Sequence, residues 1–242
     1  MSSHRGVLRG SWSAALPAAE HSPTKPRDAL IPHATYRVQL NSSFTFKDAT
    51  AIVPYLAQLG ISHLYCSPYF RARAGSTHGY DVVDHNSFNP EIGDRADFER
   101  FITELREHGM GHVLDIVPNH VGIMGSDNAW WMDVLENGPA SMYAGFFDID
   151  WIPANPALAG KVLVPVLGDA YGVVLERGEL ELRFEPELGS FAVFYHEHRF
   201  PLDPRTYPRV LDRVLALTSN TELEALRRAC GALPDRREPT AE

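Results

Sequence analysis

The five residues Val113-Leu114-Asp115-Ile116-Val117 put hydrophobes on both faces of an extended segment. A strand reads that way when it is buried on both sides, as in a parallel sheet. Five segments lead into it. Ala34 to Leu40 is rich in β-formers and ends in the turn cluster Asn41-Ser42-Ser43, which predicts a strand. Lys47 to Leu59 carries apolar residues at 49, 52, 53, 56 and 59, a helical spacing, with Gly60 as its stop and Pro54 as an internal kink. Ile61 to Cys66 predicts a second strand, and the polar stretch Ser67 to Asp94 a long loop. Arg95 to His108 sets Phe98, Phe101, Ile102 and Leu105 on one face and stops at Gly109, a second helix. Strand–helix–strand–helix–strand with helical crossovers makes an α/β fold with a parallel sheet and right-handed connections. A doubly wound sheet and a (β/α)8 barrel both satisfy this order. The long loop after the second strand resembles those at the C-terminal face of a barrel.

The pattern changes after residue 120. Asp127 to Asn137 predicts a short helix containing Trp130 and Trp131. Val162–Leu167, Tyr171–Leu175, Glu179–Phe184 and Phe191–Tyr195 predict strands, the last three as an antiparallel meander through turns at Arg177-Gly178 and Leu188-Gly189-Ser190. This β-rich stretch, residues 121–207, reads as a subdomain inserted after the third strand. Residues 208–231 return to helix, and the tail to 242 is charged and unpatterned. Residues 1–31 hold Pro17, Pro23 and Pro26 without periodicity and read as a disordered leader before the first βα units at 32–120.

The net charge of −9 gives a surface that repels phosphate backbones, which argues against nucleic acid as a partner. Basic residues are scattered, and no apolar run approaches the roughly 18 residues of a membrane span. Cys66 and Cys230 read as two reduced thiols of a cytoplasmic protein. No cofactor is indicated: Gly109-Met110-Gly111 precedes a strand instead of following one.

Chemistry concentrates in two places. Asp115-Ile116-Val117-Pro118-Asn119-His120 sets a carboxylate in a strand, with an amide and an imidazole just past its end. His78-Gly79-Tyr80-Asp81, with Asp84 behind it, occupies the loop after the second strand. A sugar pocket uses such parts: an aromatic face for the C–H side of a pyranose, and donors and acceptors for its hydroxyls. Singly, Asp115 reads equally as a core carboxylate, Tyr80 as a packed loop aromatic and His120 as a surface histidine. Their joint occurrence at strand ends points to a site. His196 and His198 sit two apart on a strand without a third ligand, and read as a solvated strand edge.

These motifs resemble the α-amylase superfamily, glycoside hydrolase family 13. Asp115 to His120 is similar to its conserved region at the end of barrel strand three, and His78-Gly79-Tyr80 to its aromatic loop after strand two. Tyr36–Leu40, Leu59–Tyr65 with Ser67-Pro68, Gly75–Val82, Asn89–Gly93, Val164–Gly168 and Arg199–Leu202 narrow the resemblance to the maltooligosyl trehalose synthase branch, from about Pro32 to about Tyr207. The resemblance implies strands 1–3 of a (β/α)8 TIM barrel. It also implies substrate-binding roles for His78, Tyr80 and His120, with Tyr80 beneath the glucosyl ring and His120 on one of its hydroxyls. Asp81, Asp115 and Asn119 would support them from behind. Asn119 matches a calcium ligand in many relatives, but one amide falls far short of the six or more oxygens calcium takes, so no metal is expected.

The activity implied is intramolecular transglucosylation of a maltooligosaccharide. A covalent glycosyl-enzyme forms at the reducing-end α-1,4 linkage, and transfer to the anomeric hydroxyl makes an α-1,1 bond. Trp130 and Trp131 read first as core of the insert, since adjacent helical residues cannot share a face; with Trp151 they are also a candidate wall that keeps water from the pocket. The chemistry needs an Asp nucleophile, a Glu acid/base and a further Asp on later strands. The string G-x-R-x-D that marks the nucleophile does not occur; Asp203-Pro204-Arg205 runs in the wrong order, and Asp212 lacks the partner Arg. A full barrel takes about 250 residues. The expectation is therefore an inactive N-terminal fragment with its catalytic carboxylates beyond Glu242. Its partners would be an α-1,4-glucan and the missing part of the barrel, and its unpaired strand edges would promote self-association. The alternatives are an α-amylase-type hydrolase or branching enzyme, and a non-catalytic glucan-binding remnant.

Overall fold

Why the first two helices form is written in their ends. Asp94 accepts the Asp97 N–H at 2.8 Å while Asp97 accepts the Asp94 N–H at 3.3 Å, a reciprocal cap. Gly60 and Gly109 stop the two helices in left-handed conformation, φ +83° and +66°. The computed structural model describes residues 31–234. The expected leader falls outside them apart from Ile31, as does the tail from residue 235.

The chain runs through β1 (Thr35–Val38), α1 (Phe46–Gln58), β2 (His63–Cys66), β3 (Phe70–Ala72), β4 (Val82–Phe88), α2 (Arg95–Glu107) and β5 (Gly111–Leu114). Strands β1, β2 and β5 form a parallel sheet in that order, with Arg37 opposite Tyr65 and Tyr65 opposite Val113. Val38, Leu64 and Cys66 point to the helices and join Phe46, Val53, Leu56, Phe101 and Leu105 in the core. Alternation then sends Arg37, Tyr65 and Val113 to the opposite face. Phe46 is fully buried and touches the rings of Tyr69, Phe88, Phe98 and Phe101 at centroid distances of 4.9 to 6.2 Å. This parallel, helix-crossed sheet agrees with the first three strands of a barrel.

Beyond it lie α3 (Ala129–Asn137), α4 (Tyr171–Glu176), β6 (Glu181–Glu185), β7 (Ser190–Tyr195), β8 (His198–Pro201), α5 (Tyr207–Leu215) and α6 (Thr221–Gly231). Strands β6, β7 and β8 form an antiparallel sheet, α3 packs on β8, and α5 pairs with α6. Gly125 N–H donates to His198 Nδ1 at 3.4 Å, and Arg73 lies 3.5 Å from Glu197, so the loops after β5 and β3 are tied to the β7–β8 hairpin.

Several expectations are corrected. Ser67 to Asp94 is not a plain loop: β3 and β4 pair antiparallel within it. The signal is weak because β4 carries Asp84, His85, Asn86 and Ser87. The third parallel strand is Gly111–Leu114 and not 113–117, although Asp115 N–H continues the ladder to Cys66 O at 3.0 Å. Residues 162–167 form no strand, and Leu163 is exposed. Tyr171–Leu175 is helical: Val174 fills the interior as a single turn closes from Arg177 N–H to Val173 O at 3.1 Å, overriding the β-propensity of two valines. The meander is therefore β6-β7-β8. Its second turn puts His196 at φ +50° between strands, so His196 and His198 do not share a strand face. Helix α1 passes unbroken through Pro54.

Candidate functional site

The polar face of the parallel sheet ends in one connected network. Tyr65 Oη donates to Asp115 Oδ2 at 2.7 Å, and Tyr80 Oη donates to the same oxygen. Arg37 reaches Tyr80 Oη at 3.0 Å and lies over the Tyr65 ring at 5.7 Å. These four side chains come from the ends of three adjacent strands and from the loop between β3 and β4. The Tyr80 hydrogen bond holds the Asp115 carboxyl below the usual aspartate range; burial opposes it next, and the Tyr65 hydrogen bond and Arg37 charge add to the lowering. The same contact with Asp115 raises the Tyr65 phenol.

The backbone of Tyr80 is held on both sides by imidazoles. Its N–H donates to His78 Nδ1 at 3.0 Å, and its carbonyl accepts from His120 Nε2 at 3.1 Å. The first contact makes His78 Nδ1 the acceptor and leaves its proton on Nε2, while His120 Nδ1 lies 3.1 Å from Asn119 Oδ1, so both oxygens beside this imidazole can only accept. The His78 and Tyr80 rings stack at 6.0 Å and 30°. Behind them Asp81 accepts from Ser76 Oγ, which in turn accepts the Gly79 N–H at 3.1 Å. Gly79 has φ +78°, and a Cβ there would lie 3.1 Å from Pro68 O.

The structure thus brings Tyr80, His78 and His120 into one cluster, with Asp115, Asp81 and Asn119 in contact with them. Both ring nitrogens of His120 already have neighbours within the protein, so the imidazole fixes the Tyr80 peptide in this conformation. Sequence reading did not single out Arg37, Gln39 or Tyr65. Gln39 Nε2 and Asn41 Nδ2 both donate to Thr77 O, at 2.9 and 3.2 Å, tying the loop to the end of β1. Positions 37, 39 and 65 were legible only through strand register: they share the face on which Asp115 continues from Val113. Trp131, expected to wall the pocket, is 5% exposed and packs on Phe147 at 5.1 Å; Trp130 is the one that reaches the surface. No group of three or more His, Cys, Asp or Glu converges among the described residues.

A phenol and two imidazoles thus gather beside the carboxyl ends of the parallel strands. Residues 45–172 match the family model "Alpha amylase, catalytic domain", and the chain belongs to that family. Its similarity extends to maltooligosyl trehalose synthases. A Mycobacterium tuberculosis protein provisionally given that name is 43% identical over 171 residues, 65% of this chain and 22% of that protein. The maltooligosyltrehalose synthase of Arthrobacter ramosus aligns with a TM-score of 0.61 and 42% identity, covering 71% of this chain and 21% of that one. An intracellular maltogenic amylase of Bacillus subtilis is 38% identical over 101 residues, 42% of this chain and 16% of that protein. The chain spans about a fifth of the length of these trehalose-synthase relatives.

Proposed function

We propose that this chain forms the glucose-recognising side of a maltooligosyl trehalose synthase-type active site, in which the reducing-end α-1,4 linkage of a maltodextrin becomes α-1,1. The observation that carries the reading is the double clasp on Tyr80: His78 on its N–H, His120 on its carbonyl, Asp115 and Arg37 on its hydroxyl. A tyrosine held at its backbone on both sides and at its hydroxyl is a preorganised platform for one pyranose face. The Nε2–H of His78 supplies a donor for a sugar hydroxyl. Asp115 holds the ring through Oδ2, which accepts from both phenols, and serves here as a positioning carboxylate.

In this reading residues 121–207 are an insert that closes over the sugar, and the bond-breaking carboxylates come from strands outside this sheet. The chain alone should then bind maltopentaose yet release no trehalose-terminated product from it. Isothermal titration and product chromatography read the two halves separately. Robust turnover would overturn the division of labour. Absence of binding, or binding indifferent to Tyr80→Ala, would overturn the platform.

A further inference from the structure

Three consecutive residues that follow β3 are each held by a carboxylate from a different segment. Arg73 lies 3.5 Å from Glu197 in the β7–β8 turn. The Ala74 N–H donates to Asp127 Oδ2 at 3.3 Å, and the Gly75 N–H to Glu91 Oε1 at 2.8 Å. Asp127 and Glu197 belong to residues 121–207, and Glu91 to the connection between β4 and α2. The inserted stretch and the parallel unit therefore meet on one turn.

The two carboxylates that grip the backbone stand on fixed mounts. Asn128, beside Asp127, is buried, accepts the Trp131 N–H at 3.0 Å and donates to Gly122 O at 2.9 Å. Gly122 N–H in turn donates to Val82 O of β4 at 2.7 Å. Glu91 N–H donates to Oδ1 of the buried Asn89 at 3.1 Å, and Asn89 N–H to Tyr69 O at 2.8 Å. The second oxygen of Glu91, Oε2, is buried with no hydrogen-bond partner among the described residues. Burying a carboxylate oxygen unpaired costs stability, so the Glu91 contact is kept at the expense of the fold. Glu197 differs: its side chain is 60% exposed, and such an ion pair contributes little.

Contacts run on from this turn to Tyr80. Ser76 N–H donates to Arg73 O at 3.0 Å and closes the turn, with Gly75 at φ +75° as its left-handed residue. Ser76 Oγ then donates to the Asp81 carboxylate and accepts the Gly79 N–H at 3.1 Å. Gly79 and Asp81 are the two neighbours of Tyr80, so one side chain passes a displacement of the turn to both sides of it.

We propose that Asp127 and Glu91 are positioning residues: by fixing the Arg73–Gly75 turn they make it the joint through which residues 121–207 set the orientation of Tyr80. The consequence for the sugar rests on the functional reading above.

The test is amide hydrogen exchange of the 242-residue chain without sugar, followed by calorimetric titration with maltopentaose, for the parent, Asp127→Ala, Glu91→Ala and Glu91→Gln. Both alanine variants are expected to speed exchange at Gly79 and Tyr80 about tenfold, the size of one lost charge-assisted hydrogen bond. The amides of β2, the central strand of the parallel sheet, are expected to keep the parent rate. Glu91→Gln keeps an acceptor for the Gly75 N–H and should return exchange to within about twofold of the parent. Maltopentaose binding by the alanine variants should weaken by about twofold or more, because the loosened loop is a non-binding fraction. Unchanged exchange at Gly79 and Tyr80 in both alanine variants overturns the joint and leaves the functional reading untouched. Equal acceleration in β2, or Glu91→Gln behaving like Glu91→Ala, also overturns it. Faster loop exchange with parent-like binding removes the positioning role. Faster loop exchange in variants of a parent that binds no maltopentaose keeps the joint and overturns the functional reading.

Discussion

Tyr80 is fixed more firmly than a surface-loop aromatic needs to be, and Asp115 is the centre of that arrangement. Its depressed carboxyl pKa arises first from the Tyr80 hydroxyl. The stabilisation it supplies is fully present above the ordinary aspartate value of about 3.9 and fades as pH falls through the lower folded value. Tyr80→Phe keeps the ring and removes the donor. The Asp115 pKa is then expected to rise toward its ordinary value, so the carboxyl protonates and the network loosens at a higher pH than in the parent. An NMR titration of the Asp115 carboxyl carbon reads this, and an unchanged titration would show that Tyr80 does not set it. The residues of this cluster were legible in part. His78, Tyr80, Asp115 and His120 stand out because their types are dense in two short motifs. Arg37 and Tyr65 do not, because each looks like an ordinary strand residue until register puts it beside Asp115.

Among the elements, the parallel strands and their two helices were readable because periodicity, glycine stops and the Asp94 cap agree. What failed was decided by contacts outside each segment. The β3–β4 hairpin hides behind polar residues that face the surface, and Tyr171–Glu176 coils because Val174 has an interior to fill. Strand β5 depends on one residue in the same way. A Cβ on Gly111 would fall 2.3 Å from the buried His63 ring of β2. Gly111→Ala is expected to cost about 2 kcal/mol through overpacking, measured by urea denaturation. His63→Ala in the same chain should recover most of the strain. If the double variant is as unstable as the sum of the two singles, the clash is not the cause.

At the scale of the whole molecule, β1 and β5 are each paired on one side only among the described residues. Tyr36, Leu114 and Ile116 are exposed on or beside those edges. Edges of this kind add strands from other chains unless something covers them. The net charge of −9 opposes this only at long range, within about 10 Å at 0.1 M salt. Self-association is therefore expected to grow with protein concentration and to strengthen as salt is raised. Sedimentation equilibrium reads it, and a monomer at all concentrations would show the edges to be protected. No helix among the described residues is long and apolar enough to cross a membrane.

The recognition claim itself is tested most directly by an NMR titration of the chain with maltopentaose, following the ring resonances of His78, Tyr80 and His120. Saturable shifts at these three rings, absent with a non-glucan sugar of the same length, are the expected result. Shifts confined to other parts of the molecule, with all three rings unmoved at saturation, would contradict it.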